Sequence, residues 1–220
     1  MNKMDSKELI ARRVAREIEP GMLVNLGIGL PSLVAGYVDA RLGVFFQAEN
    51  GVIGLGARPP EGMHDKHLTD AGGGFVTAVP GAASIDSAMS FGLIRGGHLD
   101  MTVLGGLEVD EAGRLANWKV PGKMVPGMGG AMDLVTGAKR VVVAMQHTAK
   151  GEPKIVKHCS LPLTSLRSVD MVVTDLAVIR CSDGRLHLLE RAPGISVEDI
   201  VAATAAPLVI EGDVPVMTLN

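Results

Sequence analysis

Met22-Leu23-Val24-Asn25-Leu26-Gly27-Ile28-Gly29-Leu30-Pro31-Ser32 decides how the chain is built. Five mostly apolar residues form a short strand, and the Gly27-x-Gly29 pair that follows permits a tight reversal. Pro31 then suits a first helical position, where its fixed φ and missing N–H do no harm, so a helix is predicted from Ser32 to Val38. Val44-Phe45-Phe46-Gln47-Ala48 is the next apolar run and the next strand.

The same alternation extends in both directions. Upstream, Leu9, Ile10, Val14 and Ile18 recur at helical spacing between Asp5 and Glu19. Asp5 and Glu8 resemble a capping pair at the start of that helix, and Pro20-Gly21 ends it. Downstream come a Gly- and Pro-rich stretch from Gly51 to Gly74, a helix from about Ser84 to Ile94, and a strand Met101–Leu104 ending in Gly105-Gly106. A second irregular stretch, Val120 to Gly130, precedes the buried strands Val141–Met145 and Met171–Thr174. A hairpin over Ala177–Glu190, turning at Ser182-Asp183-Gly184, and a helix from Ser196 to Ala205 complete the order.

Strands alternating with helices predict an α/β fold with an open, mostly parallel sheet flanked by helices, because parallel neighbours need crossovers. Residues 1–220 read as one domain, with neither internal repeat nor low-complexity linker. Ligands in such sheets sit beyond the carboxyl ends of the strands, where Gly27, Glu49 and Gly105 all fall. The two long Gly-rich stretches are therefore expected to be functional.

Composition narrows the function classes. Of 220 residues 47% are hydrophobic but only 3% aromatic, so the core must be aliphatic, as a sheet buried on both faces requires. The 21 basic and 24 acidic residues are scattered and give a net charge of −3, which leaves no footprint for nucleic acid or an anionic membrane surface. No apolar run is long enough to span a bilayer, and the polar start lacks the apolar core of a signal peptide. Cys159 and Cys181 sit in no CxxC pattern and read as buried small hydrophobes, in keeping with a cytoplasmic protein. His64 and His67 flank Asp65-Lys66 without a third ligand, and His98 opens a strand, so no metal site is expected.

Glu49, between a strand and Asn50-Gly51, admits several readings. It is a solvated carboxylate beside a turn, or the acidic residue of a dinucleotide-binding oxidoreductase whose fingerprint begins at Gly27-x-Gly29. The second reading stumbles on Ser32, which occupies the third glycine position behind Pro31. A ligand-sensing domain on the same fold is a third, non-catalytic possibility. Asn25, at the end of its strand, is either a capped turn or a contact for a ligand.

Five segments carry a resemblance: Asn25-Leu26-Gly27-Ile28-Gly29-Leu30-Pro31, Gln47-Ala48-Glu49-Asn50-Gly51, Ile94-Arg95-Gly96-Gly97-His98-Leu99-Asp100, Leu115-Ala116-Asn117-Trp118, and Pro121-Gly122-Lys123-Met124-Val125-Pro126-Gly127-Met128-Gly129-Gly130-Ala131-Met132-Asp133-Leu134. Together, and in this order from about Ala11 to Thr174, they resemble the B-type half of two-chain 3-oxoacid CoA-transferases. Such a resemblance implies a CoA-transferase fold, a homologous A-type chain as partner in an α2β2 heterotetramer, and coenzyme A as substrate with no permanently bound cofactor. It implies Glu49 as nucleophile, with Ala48 standing where the family commonly has Ser. It further implies Gly129 and Gly130 in the active-site loop, and Asn25, Gly27, Gly29, Asn50, Gly51 and Lys123 are the candidates for contact with CoA or substrate. The Pro121-Gly122-Lys123-Met124 stretch is similar to the acetoacetate-using branches, acetate or butyrate to acetoacetate transferases first and succinyl-CoA-dependent ones second.

Chemistry supports these residue types. Exchange of a thioester for a carboxylate is nearly balanced in free energy, and a covalent route through a glutamyl-CoA thioester divides one hard displacement into easier ones. Each step passes through an oxyanion, for which the amides of Gly127-Met128-Gly129-Gly130-Ala131, leading into a short helix at Asp133, are candidate donors worth about 3 kcal/mol each. Val52, Ile53 and Leu55 suit a wall that excludes water. Arg95, Lys119 and Lys123 are candidate contacts for CoA phosphates or a substrate carboxylate.

Overall fold

The computed structural model describes residues 4–120, 122 and 127–219. Lys123, with Pro121 and residues 124–126, lies outside them. The main sheet has ten strands: β1 (Leu23–Leu26), β2 (Phe45–Ala48), β3 (Val52–Leu55), β4 (Ala78–Ser84), β5 (Met101–Leu104), β6 (Arg140–Ala144), β7 (Met171–Val173), β8 (Ala177–Ser182), β9 (Arg185–Arg191) and β10 (Leu208–Val209). Their spatial order is β10-β9-β8-β7-β6-β5-β1-β2-β3-β4. The centre, from β7 to β2, is parallel, while hairpins at either side add antiparallel strands. Among the described residues, four α-helices, α1 (Ser6–Ala15), α2 (Ser87–Arg95), α3 (Ala131–Gly137) and α4 (Val197–Ala202), flank it. The α/β class and the predominantly parallel centre are as the sequence predicts.

Strand alternation divides the core into two layers. Val141 and Val143 of β6 join one hydrophobic cluster with Ile94, Leu134 and Ile200, whereas Val142 and Ala144 join the other with Ile10 and Val14. Successive side chains point to opposite faces, and both faces are covered, so the central strands are mostly apolar on both. On the second face Arg13, 6% exposed, ties α1 to the β8–β9 hairpin through a bidentate pair with Glu190, at 2.7 and 2.8 Å, and a further bond to Glu17. Burial opposes both charges, yet these hydrogen bonds raise the Arg13 pKa and lower that of Glu17.

Four expectations are corrected. The first helix does begin after Asp5, but Asp5 makes no side-chain cap, and Glu8 bonds Arg12 one turn on. The turn opened by Pro31 is a 3-10 helix, Pro31–Tyr37, because the N–H and Oγ of Ser32 both reach back to the Gly29 carbonyl, three residues earlier. Gly51–Gly74 is not wholly irregular, since β3 lies within it and pairs with β4. Pro80 and Gly81 disguise β4, but an edge strand tolerates them. The next helix starts at Ser87 rather than Ser84, because the Asp86 carboxylate caps it through the N–H of Met89 at 2.8 Å. The late hairpin falls where expected, and α4 starts where expected but ends at Ala202, short of Ala205. Asp183 and Gly184 both have positive φ, the conformation a two-residue hairpin turn needs, and Ser196 with Asp199 forms a capping box.

Candidate active site

Glu49 is the first residue past the carboxyl end of β2. Ala48 and Val52 pair across the β2–β3 hairpin, so Glu49, Asn50 and Gly51 form its tip, closed by Gly51 N–H to the Ala48 carbonyl at 2.9 Å. Only glycine fits the last place. Gly51 has φ +117°, and a Cβ there would lie 2.0 Å from the Ile85 carbonyl oxygen. The tight tip thus fixes where Glu49 leaves the sheet.

The parallel register explains what holds its side chain. Asn25 of β1 lies level with Gln47 of β2 on one side and Thr102 of β5 on the other, forming a polar row in an otherwise apolar sheet. All three side chains are completely buried. Asn25 Nδ2 donates to Gln47 Oε1 at 3.0 Å, to the Gln47 carbonyl at 3.1 Å and to Glu49 Oε2 at 3.2 Å. Thr102 Oγ1 donates to Asn25 Oδ1 at 3.3 Å, and Gln47 Nε2 donates to Ser90 Oγ on α2 at 2.8 Å. Acceptors at the Nδ2 end and a hydroxyl at the Oδ1 end fix the orientation of the Asn25 amide, so a donor, not an acceptor, faces Glu49. Leaving one such buried amide unpaired would cost about 1–3 kcal/mol, which locks the row in one arrangement.

On the other side of the carboxyl group stands Gly130, the N-cap of α3. A Cβ there would sit 3.2 Å from Glu49 Cγ and 3.3 Å from Oε1. Gly129 is left-handed at φ +51° and its Cβ direction is open, so its backbone conformation, not crowding, calls for glycine. The Ala131 N–H is engaged by the Met128 carbonyl at 3.1 Å, which removes that amide from the candidate oxyanion donors.

A cleft of about 160 Å³ opens beside Glu49, lined by Gly27 and Gly29 together with Leu26, Phe46, Leu55 and Val76 and, at its rim, Asp70. Gly27 is there because a Cβ would come 3.1 Å from the Val103 carbonyl oxygen. Asn50 turns away and donates to the Thr69 carbonyl at 2.8 Å, pinning the segment that covers the cleft. The remaining candidates lie elsewhere: Arg95 pairs with Asp133 at 2.7 Å, the Lys119 ammonium lies over the Trp118 ring, and exposed His64 stacks on Phe75. No group of three potential metal ligands occurs among the described residues. Burial pushes the thiols of both Cys159 and Cys181 up to about 12, far from a reactive thiolate.

Gln47, Thr102, Ser90 and Asp70 are not singled out by sequence. The first two carry a signal, a polar residue inside an apolar strand, but strand register is needed to bring them to Asn25.

The family model described as "Coenzyme A transferase" matches residues 7–203. The chain belongs to the coenzyme A transferase family. It is 53% identical to the beta subunit of the acetate CoA-transferase of Haemophilus influenzae, over 99% of this chain and 97% of that one. It is 49% identical to the B-type chain of the probable succinyl-CoA:3-ketoacid coenzyme A transferase of Bacillus subtilis, over 96% and 98%. These likenesses make it a beta-type chain of a CoA-transferase. Among solved structures, an acyl-CoA transferase (YdiF) of Escherichia coli O157:H7 superposes with a TM-score of 0.79 at 24% identity; the match covers 99% of this chain but only 44% of that longer one. Glutaconate coenzyme A-transferase of Acidaminococcus fermentans superposes with a TM-score of 0.73 at 20% identity, covering 98% and 91%. At those identities the structural matches speak to the fold, and the open sheet of this CoA-transferase chain is the one they share. The dinucleotide reading loses its footing as well, since the Gly27-x-Gly29 turn opens into a 3-10 turn rather than the α-helix whose N-terminus would hold a pyrophosphate.

Proposed function

We propose that this chain carries the nucleophile of a 3-oxoacid-type CoA-transferase, with Glu49 as that nucleophile. The observation that carries the reading is the Asn25 Nδ2 to Glu49 Oε2 hydrogen bond within a fully paired, buried polar row. Held at Oε2, the carboxylate presents Oε1, beside Gly130, to the thioester carbonyl of an acyl-CoA. Attack expels CoA thiolate and leaves an acyl-glutamyl anhydride. The thiolate then adds to the glutamyl carbonyl, the carboxylic acid departs as its anion, and a glutamyl-CoA thioester remains. An incoming carboxylate reverses both steps, returning a new acyl-CoA and free Glu49.

In this scheme Oε2 stays on the glutamyl carbon throughout and becomes the oxyanion each time that carbon is attacked. The Asn25 N–H already aimed at it gains strength as charge develops there, which is how a preorganised donor lowers a barrier. Apolar Leu26, Phe46, Leu55 and Val76 line the cleft. Such a wall protects an anhydride from water. No metal or permanently bound cofactor is required for the exchange to balance.

The partner belongs to the same proposal: a homologous A-type chain, in an α2β2 assembly, acting in the cytoplasm. Ile28 at the cleft leaves 73% of its surface exposed and Met63 74%, which suits burial against another chain. The complex with its A-type chain is the proper test material. Glu49→Gln should abolish transfer while leaving assembly intact; undiminished transfer, with the glutamine verified by mass, would remove the nucleophile from the scheme.

A further inference from the structure

Beside the nucleophile the cleft is negatively charged. Among the described residues that line it, Glu49 and Asp70 are the charged ones, both carboxylates, and no Lys, Arg or His joins them. Asp70 cannot swing away. Its Oδ1 accepts the backbone N–H groups of Gly72 at 2.9 Å and Gly74 at 2.8 Å, and its own N–H bonds the Gly74 carbonyl at 2.9 Å, which clamps the carboxylate at the rim. The neighbouring wall is aliphatic or aromatic, from Leu26, Phe46, Leu55 and Val76, and these side chains add no charge of their own. At about 160 Å³ the cleft is smaller than the roughly 300 Å³ at which drug-sized ligand sites begin, so it fits a short chain.

We infer that this cleft receives the acyl group and that Asp70 acts as a charge filter, admitting short uncharged acyl chains and rejecting those that end in a second carboxylate. The inference rests on Glu49 being the acceptor of the acyl group. With the acyl carbon at Oε1, a terminal carboxylate three carbons farther on would enter a cleft already carrying the Asp70 charge. Like charges repel, and no cation occurs among the described residues of the wall. A plain or 3-oxo chain meets no such penalty. Specificity of this kind comes from the repulsive element, not from a contact to the favoured substrate.

The test uses the complex with its A-type chain, one acceptor acid, and two donors, butyryl-CoA and succinyl-CoA. Wild type should favour butyryl-CoA in kcat/KM. Asp70→Asn keeps the Oδ1 acceptor that organises the loop and removes only the charge; it should raise the succinyl-to-butyryl ratio of kcat/KM by about tenfold. Should that variant fail to assemble, Ala35→Lys, at an exposed position on the same cleft, must move the ratio in the same direction. An unchanged ratio in the variants, or a wild type that prefers succinyl-CoA, overturns the filter. Mass analysis of the Glu49 peptide separates the two levels. A CoA adduct formed equally from both donors defeats the filter alone, whereas no adduct from either defeats the nucleophile assignment and the filter with it.

Discussion

Gln47 in the sheet donates its Nε2–H to the Ser90 hydroxyl on α2 at 2.8 Å, and neither side chain reaches solvent. The bond pairs and holds the far end of the Gln47 amide while its Oε1 meets Asn25, and Asn25 in turn keeps its donor on Glu49. Position is thus passed from a helix through two strands to the nucleophile.

Ser90→Ala should therefore lower kcat with little change in KM, because Ser90 orients the carboxylate without touching substrate. Steady-state kinetics of the two-chain complex measure the split. The unmated Gln47 amide should also cost about 1–3 kcal/mol of stability. A loss confined to stability would make Ser90 a packing residue only.

Asn25→Asp replaces the donor facing Oε2 by an acceptor of nearly the same shape. Loss of one oxyanion donor predicts a drop of about 100- to 1,000-fold in kcat. Kinetics on a variant with wild-type assembly test this, and a drop of only a few fold would point to a different donor.

Gly130→Ala places a methyl group 3.2 Å from Glu49 Cγ, so the carboxylate must yield by a few tenths of an ångström. A fall of about tenfold in kcat is expected, since small misplacements of reacting groups are costly. The melting temperature should barely change, because the methyl group points at the site and away from the core. Equal losses in both would locate the damage in α3 instead.

His147 is buried between the hydroxyls of Thr174 and Thr204, 2.9 Å from each ring nitrogen, and burial lowers its pKa to about 4. In the unfolded chain it titrates near 6.5. The unfolded state therefore binds a proton first as pH falls, and stability present above about pH 6.5 is lost progressively towards pH 4, by roughly 3 kcal/mol at most. Denaturant midpoints across that window should slope in wild type and flatten in His147→Gln. An imidazole that titrates near neutrality by NMR would contradict the account.

Much of the fold was legible because the centre of the sheet is apolar on both faces. Val141–Met145 and Met171–Thr174 announce themselves as runs, and Asp183-Gly184 announces its hairpin. β3 and β4 were hidden, since Gly54 in the one and Pro80-Gly81 in the other, which edge strand β4 tolerates, look like loop in one dimension. The site was half legible. Glu49 and Gly130 were named through family resemblance, and the structure puts them in contact range. The row through Gln47, Thr102 and Ser90 depends on which strands lie side by side, and Asp70 depends on a segment folding back over the cleft. Neither relation exists in local sequence.

The most direct measurement is the mass of the peptide containing Glu49, taken from the complex of this chain with its A-type partner after brief exposure to an acyl-CoA without acceptor acid. The account predicts a CoA adduct on Glu49 that disappears when acceptor is added. Rapid turnover with that peptide unmodified at every time point would contradict it.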